Sequence, residues 1–109
     1  MSKKIKVIVK YVGEKIGHYE WINNDLQTLQ QKVQGYIEIV PICNDPHIVL
    51  VCNEEGKIRD LEHNFYYKGD RIVGDVVICG TKGEDLDDVP ITLDTWGMML
   101  KMNGNDIGR

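Results

Sequence analysis

An unbroken run of five apolar residues at positions 48–52, with the sequence IVLVC, sets the tightest limit on the fold. A strand with one face in water alternates apolar and polar residues, so an unbroken run rich in β-branched side chains predicts a strand covered on both faces. We therefore predict that residues 48–52 form the central strand of a small sheet. The polar segment 53–57 follows, with Gly56 at the turn, and it is as typical of a binding site as of an ordinary hairpin turn.

Alternating residues near the N-terminus predict a β-hairpin. Residues 4–12 alternate between an apolar face and a face that carries Ile8 and three lysines, Lys10 among them. This pattern predicts a strand at or near an edge of the sheet, with one face toward the core and one face in water. Residues 13–15 are predicted to turn, and residues 16–22 to return as the second strand.

A short helix and a third strand are predicted to follow the hairpin. Asn23 or Asn24 is predicted as the helix N-cap, and Gly35 as the glycine that closes the helix. The apolar side chains predicted to share one side of this helix are Leu26, Leu29 and Val33. Residues 36–42 predict a third strand, which is stopped by Pro41 and by the turn residues 44–46.

The C-terminal half contains an irregular stretch, a strand and a helix. Residues 57–74 show the least regular pattern, whereas residues 72–80 are mostly apolar and predict a strand beside the central one. Gly74 is predicted to mark a bulge or a close approach. A final helix is predicted to place Trp96 on its buried side. Its predicted N-cap is one of two residues, Thr92 or Asp94.

These elements together predict an α+β fold. It consists of a small, mostly antiparallel sheet of about five strands, a short helix after the N-terminal hairpin, and a C-terminal helix. A chain of 109 residues fits one domain. We predict a single α+β domain over residues 1–102 and a flexible tail over residues 103–109.

The composition narrows the classes of function. A net charge of −4, with no basic face beyond the N-terminal lysines, argues against a nucleic-acid polymer as partner. The N-terminus lacks the apolar segment of a signal peptide, and no run of about 18 apolar residues predicts a membrane span. Three cysteines in or beside apolar runs are typical of buried thiols in a reducing compartment. We therefore predict a cytoplasmic protein without a membrane partner.

Three sequence segments, taken in order, resemble a known family. They are residues 35–38 (GYIE), residues 50–57 (LVCNEEGK) and residues 74–80 (GDVVICG). Their order and spacing resemble the small phage and mobile-element proteins called domain of unknown function 3846, and the likeness covers residues 5–96. Where that family has a Pro-Asn-Arg-like segment, residues 62–65 read EHNF, so the proline and the arginine are missing. The resemblance implies a phage, prophage or plasmid context in a bacterial cytoplasm, and it implies no established activity.

The sequence shows no arrangement typical of catalysis. No serine or cysteine lies in a nucleophile-elbow pattern. A metal site built from Cys43, His47, Cys52 and His63 would lack the paired spacing of a zinc site, so we predict no metal and no cofactor. The glycines of residues 80–83 precede an acidic segment and not a helix, which favours a hairpin turn over a phosphate loop. A non-catalytic role is therefore favoured over an enzymatic one.

A ligand site is predicted where polar side chains gather at the ends of the apolar strands. A nucleotide-type ligand needs an aromatic ring for stacking, an amide for hydrogen bonding and a cation for phosphate. The candidate site residues that offer such groups are Tyr36, Glu38, Asn53, Glu54, Arg59, Asn64, Tyr66 and Arg71. The alternative is structural: the tyrosines cover the core, and the Asn53 side chain forms an Asx-turn into residues 54–56.

Two hypotheses for the function follow. The first is a non-catalytic phage or mobile-element protein that binds a small polar ligand, such as a nucleotide immune signal, as a homo-oligomer. By sequestering that signal, it would act against host defence. The second is a protein-interaction module that inhibits a host protein through acidic residues 84–88 and a Met-rich C-terminal helix.

Overall fold

The fold is described from a computed structural model of the protein over residues 3–108. The first two residues of the predicted domain and the last residue of the predicted tail lie outside the described residues. The elements along the described chain are, in order, β1 (Lys4–Lys10), β2 (His18–Asn23), α1 (Leu26–Val33), β3 (Ile37–Asn44), β4 (His47–Asn53), β5 (His63–Tyr67), β6 (Asp70–Val73), β7 (Val76–Lys82), β8 (Asp85–Asp87) and α2 (Leu93–Met102).

Antiparallel pairing joins most of these strands into one sheet. Within residues 3–108, six strands form this sheet in the order β2-β1-β7-β4-β3, with β8 paired to β7. β5 and β6 pair with each other as a separate hairpin. α1 covers one face of the sheet, and α2 with the β5–β6 hairpin covers the other. The predicted α+β fold, with a short helix after the N-terminal hairpin and a C-terminal helix, is confirmed.

The strand predicted at residues 48–52 is β4, and both of its faces are covered as predicted. Val49 and Val51 are buried on the side of α1, while Ile48 and Leu50 are buried on the opposite side. Its backbone pairs with β3 and with β7. The structure corrects one detail, because β7, and not β4, holds the middle position in the strand order.

The prediction that β1 has one face in water is wrong for the second half of the strand, although Lys4 at its start is exposed. β1 pairs with β2 on one side and β7 on the other, so it lies next to the edge of the sheet. On the face predicted to be wet, Ile8 is fully buried and Lys10 is only 2% exposed. Contacts between distant parts of the chain explain this burial, because Ile8 packs in one cluster with Phe65 of the hairpin and Trp96 of α2. The local spacing of the lysines does not reveal which elements pack on this face.

The N-cap of α1 is Asp25, so the predicted caps Asn23 and Asn24 are wrong. The Asp25 carboxylate accepts a hydrogen bond from the Thr28 backbone N–H at 2.8 Å. Asn23 and Asn24 instead continue the pairing with β1, since the Asn24 N–H donates to the Lys3 carbonyl at 2.7 Å. The helix therefore begins only after the strand ladder has ended.

Two of the three apolar side chains predicted to share a side of α1 are buried. Leu29 and Val33 pack against the sheet, whereas Leu26 in the first turn is 58% exposed, which corrects the prediction for that residue. The helix ends at Gln34, which takes a left-handed φ of 63°. Gly35 follows directly, and its N–H donates to the Gln30 carbonyl.

The stretch predicted to be irregular, residues 57–74, contains the β5–β6 hairpin. The single strand predicted over residues 72–80 is two strands, because Gly74 takes a φ of 76° between them. A Cβ on Gly74 would lie 2.9 Å from Leu61 Cδ1, so the predicted close approach is confirmed. This break lets β7 enter the sheet while β6 stays outside it.

α2 closes the face of the sheet opposite α1. Of its two predicted caps, Thr92 is confirmed, because its hydroxyl accepts a hydrogen bond from the Thr95 N–H at 3.1 Å. Trp96 is fully buried, with its ring edge-on to Phe65 at a centroid distance of 5.6 Å. Its Nε1 donates to the Ile16 carbonyl at 3.0 Å. None of the helices within residues 3–108 has both the length and the apolar character needed to cross a bilayer.

The residues after α2 lie along the hairpin. Asn105 Nδ2 donates to the Tyr66 carbonyl at 2.8 Å, and Asn105 Oδ1 accepts a hydrogen bond from the Tyr66 N–H at 2.8 Å. Ile107 is buried in the same cluster as Trp96. These contacts join the hairpin to the end of α2.

Candidate functional site

Asn53, the last residue of β4, is buried, and its side chain forms hydrogen bonds within the protein. The Oδ1 atom accepts a hydrogen bond from the Glu55 N–H at 2.8 Å, which closes an Asx-turn. The Nδ2 atom donates to the carbonyls of Val33 and Gln34, at 3.1 and 3.3 Å. The Asx-turn that was predicted as the structural alternative is therefore present. Both polar atoms of the Asn53 amide already have hydrogen-bond partners within the protein.

Gly35 allows this connection between β4 and the end of α1. A Cβ at this position would lie 2.6 Å from Asn53 Nδ2 and 3.2 Å from Arg59 Nη1. Arg59 Nη1 donates to the Gln34 carbonyl at 3.2 Å. Because helix C-termini leave carbonyls without partners inside the helix, both donors stabilise the end of α1.

A cleft of about 380 Å³, which we call the strand-end cleft, opens beside the end of β4. It is bounded by β3, β4, the loop after β4 and β6. The apolar part of its lining consists of Val40, Ile58, Ile72 and Val73, and the charged part of Glu38, Glu54, Lys57, Asp70 and Arg71. Its volume falls within the range of about 300–1,000 Å³ that is typical of small-molecule sites.

The charged groups of the strand-end cleft fall into a paired and an unpaired set. Lys57 Nζ lies 2.6 Å from Asp70 Oδ1, and this hydrogen bond lowers the pKa of Asp70. Within residues 3–108, the side chains of Glu38, Glu54 and Arg71 form neither an ion pair nor a hydrogen bond, and all three are exposed. Two carboxylates and one guanidinium are therefore available to a ligand.

Cys52 is the thiol that lines this cleft. Burial raises the pKa of Cys52 to about 11, with a further contribution from the charges of Glu38 and Asp70. The thiolate is the nucleophilic form of cysteine, so at neutral pH the protonated Cys52 is a poor nucleophile. The environment of Cys52 therefore does not favour thiolate chemistry.

The structure divides the eight predicted site residues into three groups. The residues that line the strand-end cleft are Glu38, Asn53, Glu54 and Arg71. Tyr36 and Arg59 line a neighbouring hollow of about 220 Å³, together with Gly35 and Glu55. Asn64 and Tyr66 lie on β5, outside both spaces. The exposed ring of Tyr36 therefore does not face the same space as Arg71.

Asn64 and Tyr66 make contacts that stabilise the fold. Asn64 Oδ1 accepts a hydrogen bond from Lys10 Nζ at 2.7 Å, and Asn64 Nδ2 donates to the carbonyls of Lys10 and Gly74, at 2.9 and 2.8 Å. The Tyr66 ring packs on His63 at a centroid distance of 4.6 Å. Asn64 thus links β5 to β1 and provides an acceptor for a buried lysine.

This buried lysine predicts a pH dependence of stability. Lys10 Nζ also donates to the Glu14 carbonyl at 2.6 Å, and burial lowers the pKa of Lys10 from 10.5 although the Glu14 charge opposes the shift. Between the lowered pKa and 10.5 the unfolded chain binds more protons, so the stability contributed by Lys10 rises with pH. We expect the free energy of unfolding of the wild type to increase relative to that of Lys10→Met as the pH rises through this window.

Urea unfolding of both proteins at several pH values up to about 10 measures this difference. The cysteines and tyrosines titrate in both proteins, so their contributions cancel in the comparison. A difference that falls with rising pH would contradict the assignment of Lys10 as a buried, destabilised charge.

One wall of the strand-end cleft is not predicted from the sequence. Lys57, Asp70 and Ile72 line it but were not candidates, because the hairpin that brings Asp70 beside Lys57 was not predicted. The sequence does contain a turn signal, Gly69, because glycine adopts positive φ easily. In the structure Lys68 and Gly69 take φ values of 49° and 78° between β5 and β6. Two residues with positive φ are typical of the type I′ turns that connect hairpin strands.

Comparison with models of protein families identifies the family of this chain. The model of the family described as Domain of unknown function (DUF3846) matches residues 5–101 of the 109-residue chain. The chain belongs to this family. The match runs from β1 into α2, so the strand-end cleft and the neighbouring hollow both lie within the family domain. The search of curated proteins finds no match, and the search of solved structures finds none either.

Proposed function

We propose that this member of the family is a non-catalytic protein that binds a small polar ligand in the strand-end cleft. The observation that supports the proposal most strongly is the unpaired set Glu38, Glu54 and Arg71 beside the apolar side chains of Val40 and Ile72. Sites for small molecules combine an apolar lining with a few polar groups that fix the orientation of the ligand. The protonated thiol in the same cleft is consistent with binding without reaction.

A nucleotide is the ligand class that we propose for this cleft. The planar Arg71 guanidinium suits a phosphate group, to which it can donate two parallel hydrogen bonds. The carboxylates of Glu38 and Glu54 can accept hydrogen bonds from the amino groups of a base. The ring of Tyr36 in the neighbouring hollow offers a stacking surface for a part of the ligand that extends beyond the cleft.

In this proposal the ligand is an immune signal of a bacterial host, and the protein acts in the cytoplasm as a homo-oligomer of phage or mobile-element origin. Binding alone lowers the concentration of free signal, and a host effector responds to the free signal. The support for this context is the resemblance described from the sequence, whereas the support for ligand binding is the cleft.

Isothermal titration against a panel of cyclic and linear nucleotides tests the proposal. We expect at least one nucleotide to bind with a dissociation constant well below about 1 mM. Arg71→Ala and Glu38→Gln should each weaken that binding by about 10- to 100-fold, because a hydrogen bond to a charged group contributes about 1.5–3 kcal/mol.

Lys101→Ala is the matched control, since Lys101 is an exposed cation on α2 that does not line the cleft. Its affinity should equal that of the wild type. Absence of binding across the panel, or equal affinity of Arg71→Ala and the wild type, would count against the strand-end cleft as the site.

The second candidate function, inhibition of a host protein, is favoured by the exposure of Met98 and Met102 on α2. In the acidic segment, Asp88 Oδ1 accepts a hydrogen bond from the Lys6 N–H at 2.9 Å, whereas within residues 3–108 the exposed carboxylates of Glu84 and Asp85 form neither a hydrogen bond nor an ion pair. Capture of a stoichiometric partner from bacterial lysate by the wild type and by Arg71→Ala, but not by the double variant Glu84→Lys, Asp85→Lys, would favour this function over ligand binding.

A further inference from the structure

The two edges of the six-stranded sheet within residues 3–108 are protected to different degrees. On the β3 edge, the Tyr36 carbonyl accepts a hydrogen bond from the Glu54 N–H, so the even-numbered residues at the start of β3 face β4. Ile37, Ile39 and Pro41 therefore direct their backbone groups away from the sheet. Pro41 has no N–H to offer, and the register shifts after it, so this edge is blocked against another strand.

The β2 edge lacks these features. The Asn24 N–H donates to the Lys3 carbonyl, so the even-numbered residues of β2 face β1, and Tyr19, Trp21 and Asn23 direct their backbone groups outward. β2 contains no proline, and its register with β1 is unbroken. No hydrogen bond within the described part of the chain satisfies these outward backbone groups.

The side chains of β2 also fit a partner strand. Trp21 is 61% exposed, which is unusual for a residue of that size on a small domain. The one carboxylate on β2, Glu20, is already paired with Lys32 and with His18. No unpaired charge on this strand therefore repels a second copy, and charge is a common device for keeping edge strands apart.

We propose that a second copy of this chain pairs with β2 in an antiparallel, two-fold arrangement centred on Trp21. Trp21 of one copy then lies opposite Trp21 of the other, and Tyr19 lies opposite Asn23. Each of these three residues offers one outward donor and one outward acceptor, and a two-fold axis matches every donor with an acceptor. The facing indole rings add an aromatic cross-strand pair.

A second copy is favoured over an unrelated strand because this edge is complementary to itself. Pairing through β2 also leaves the strand-end cleft open, since β3 and β4 lie at the other end of the strand order. The proposal names the interface of the homo-oligomer proposed above and does not depend on a ligand. Its experiment therefore uses the protein alone.

Light scattering after size exclusion tests the interface with two proline variants. We expect the wild type to have twice the 12.5 kDa mass of the chain. Trp21→Pro removes one outward N–H on β2, as Pro41 does on β3, and should be monomeric. Ile39→Pro makes the matched change on the β3 edge and should remain a dimer. Circular dichroism confirms that each variant is folded.

Trp21→Asp provides a second route if the proline disturbs folding. It keeps the N–H but places two carboxylates together at the two-fold axis, so it should weaken the dimer at least tenfold. Iodide quenching gives an independent readout, because Trp96 is fully buried and Trp21 dominates the quenching. Quenching should decrease as the wild-type concentration rises. A monomeric wild type, or a dimer that survives in Trp21→Pro and Trp21→Asp, would overturn the proposal.

Discussion

Replacing Trp96 with alanine is expected to lower the free energy of unfolding by about 4 kcal/mol. The indole is fully buried between the sheet and the hairpin, with the ring of Phe65 edge-on to it and the ring of Tyr67 stacked at 6.2 Å. Its removal leaves a cavity that the neighbouring strands cannot fill, and it leaves the Ile16 carbonyl without its Nε1 donor.

Urea denaturation at a single protein concentration measures this loss, so that any dimerisation contributes equally. Met98→Ala is the control, because Met98 lies on the same helix but is exposed, and we expect a change within about 0.5 kcal/mol. Trp96→Phe should fall in between, since it keeps an aromatic ring but loses the hydrogen bond. A loss below about 1 kcal/mol for Trp96→Ala would contradict the central position assigned to this side chain.

Asn53→Ala is expected to destabilise the protein by about 3 kcal/mol, since three hydrogen bonds of about 1 kcal/mol each are lost. The truncation leaves the Glu55 N–H and the Val33 carbonyl without their partner, and it leaves the Gln34 carbonyl with the Arg59 guanidinium as its donor. The effect is large because one amide makes all three of these hydrogen bonds, between the turn after β4 and the end of α1.

Asn53→Asp separates the two halves of this contact. Aspartate keeps the acceptor for the Glu55 N–H but loses the donor to the helix carbonyls and brings a negative charge to a helix C-terminus, which is unfavourable. Denaturation should therefore rank the wild type above both variants. Wild-type stability in Asn53→Ala would show that the turn holds without this side chain. Exposed Lys101→Ala again serves as the neutral reference.

The parts of the fold that could be predicted are those whose pattern is local. The apolar run of β4, the N-terminal hairpin and the Thr92 cap depend on residues close in sequence, and the structure confirms them. The prediction for the second half of β1 was wrong because it depends on a contact between residues that are distant in sequence. Lys10 was assigned to water because the partner that buries it, Asn64, lies 54 residues away.

For a similar reason, only part of the candidate site could be predicted from the sequence. Asn53 and Glu54 end a strand that the sequence identifies, and Glu38 faces the same space from the neighbouring strand. Tyr36 precedes the start of β3, so strand alternation does not determine its direction, and the structure places it in the neighbouring hollow. Arg71 was predicted because of its residue type. Its position in the cleft depends on the β5–β6 hairpin, which was not predicted.

Because of that hairpin, the two walls of the strand-end cleft are held in place by different kinds of contact. One wall belongs to the six-stranded sheet of the described chain, whereas the β6 wall belongs to a hairpin whose strands pair only with each other. The Lys57–Asp70 pair spans the gap, and both of its side chains are largely in water. The β6 wall is therefore held by side-chain contacts, namely those of Asn64 with β1 and of buried Phe65 with α2, so a core substitution can alter the shape of the cleft without changing any strand pairing of the sheet.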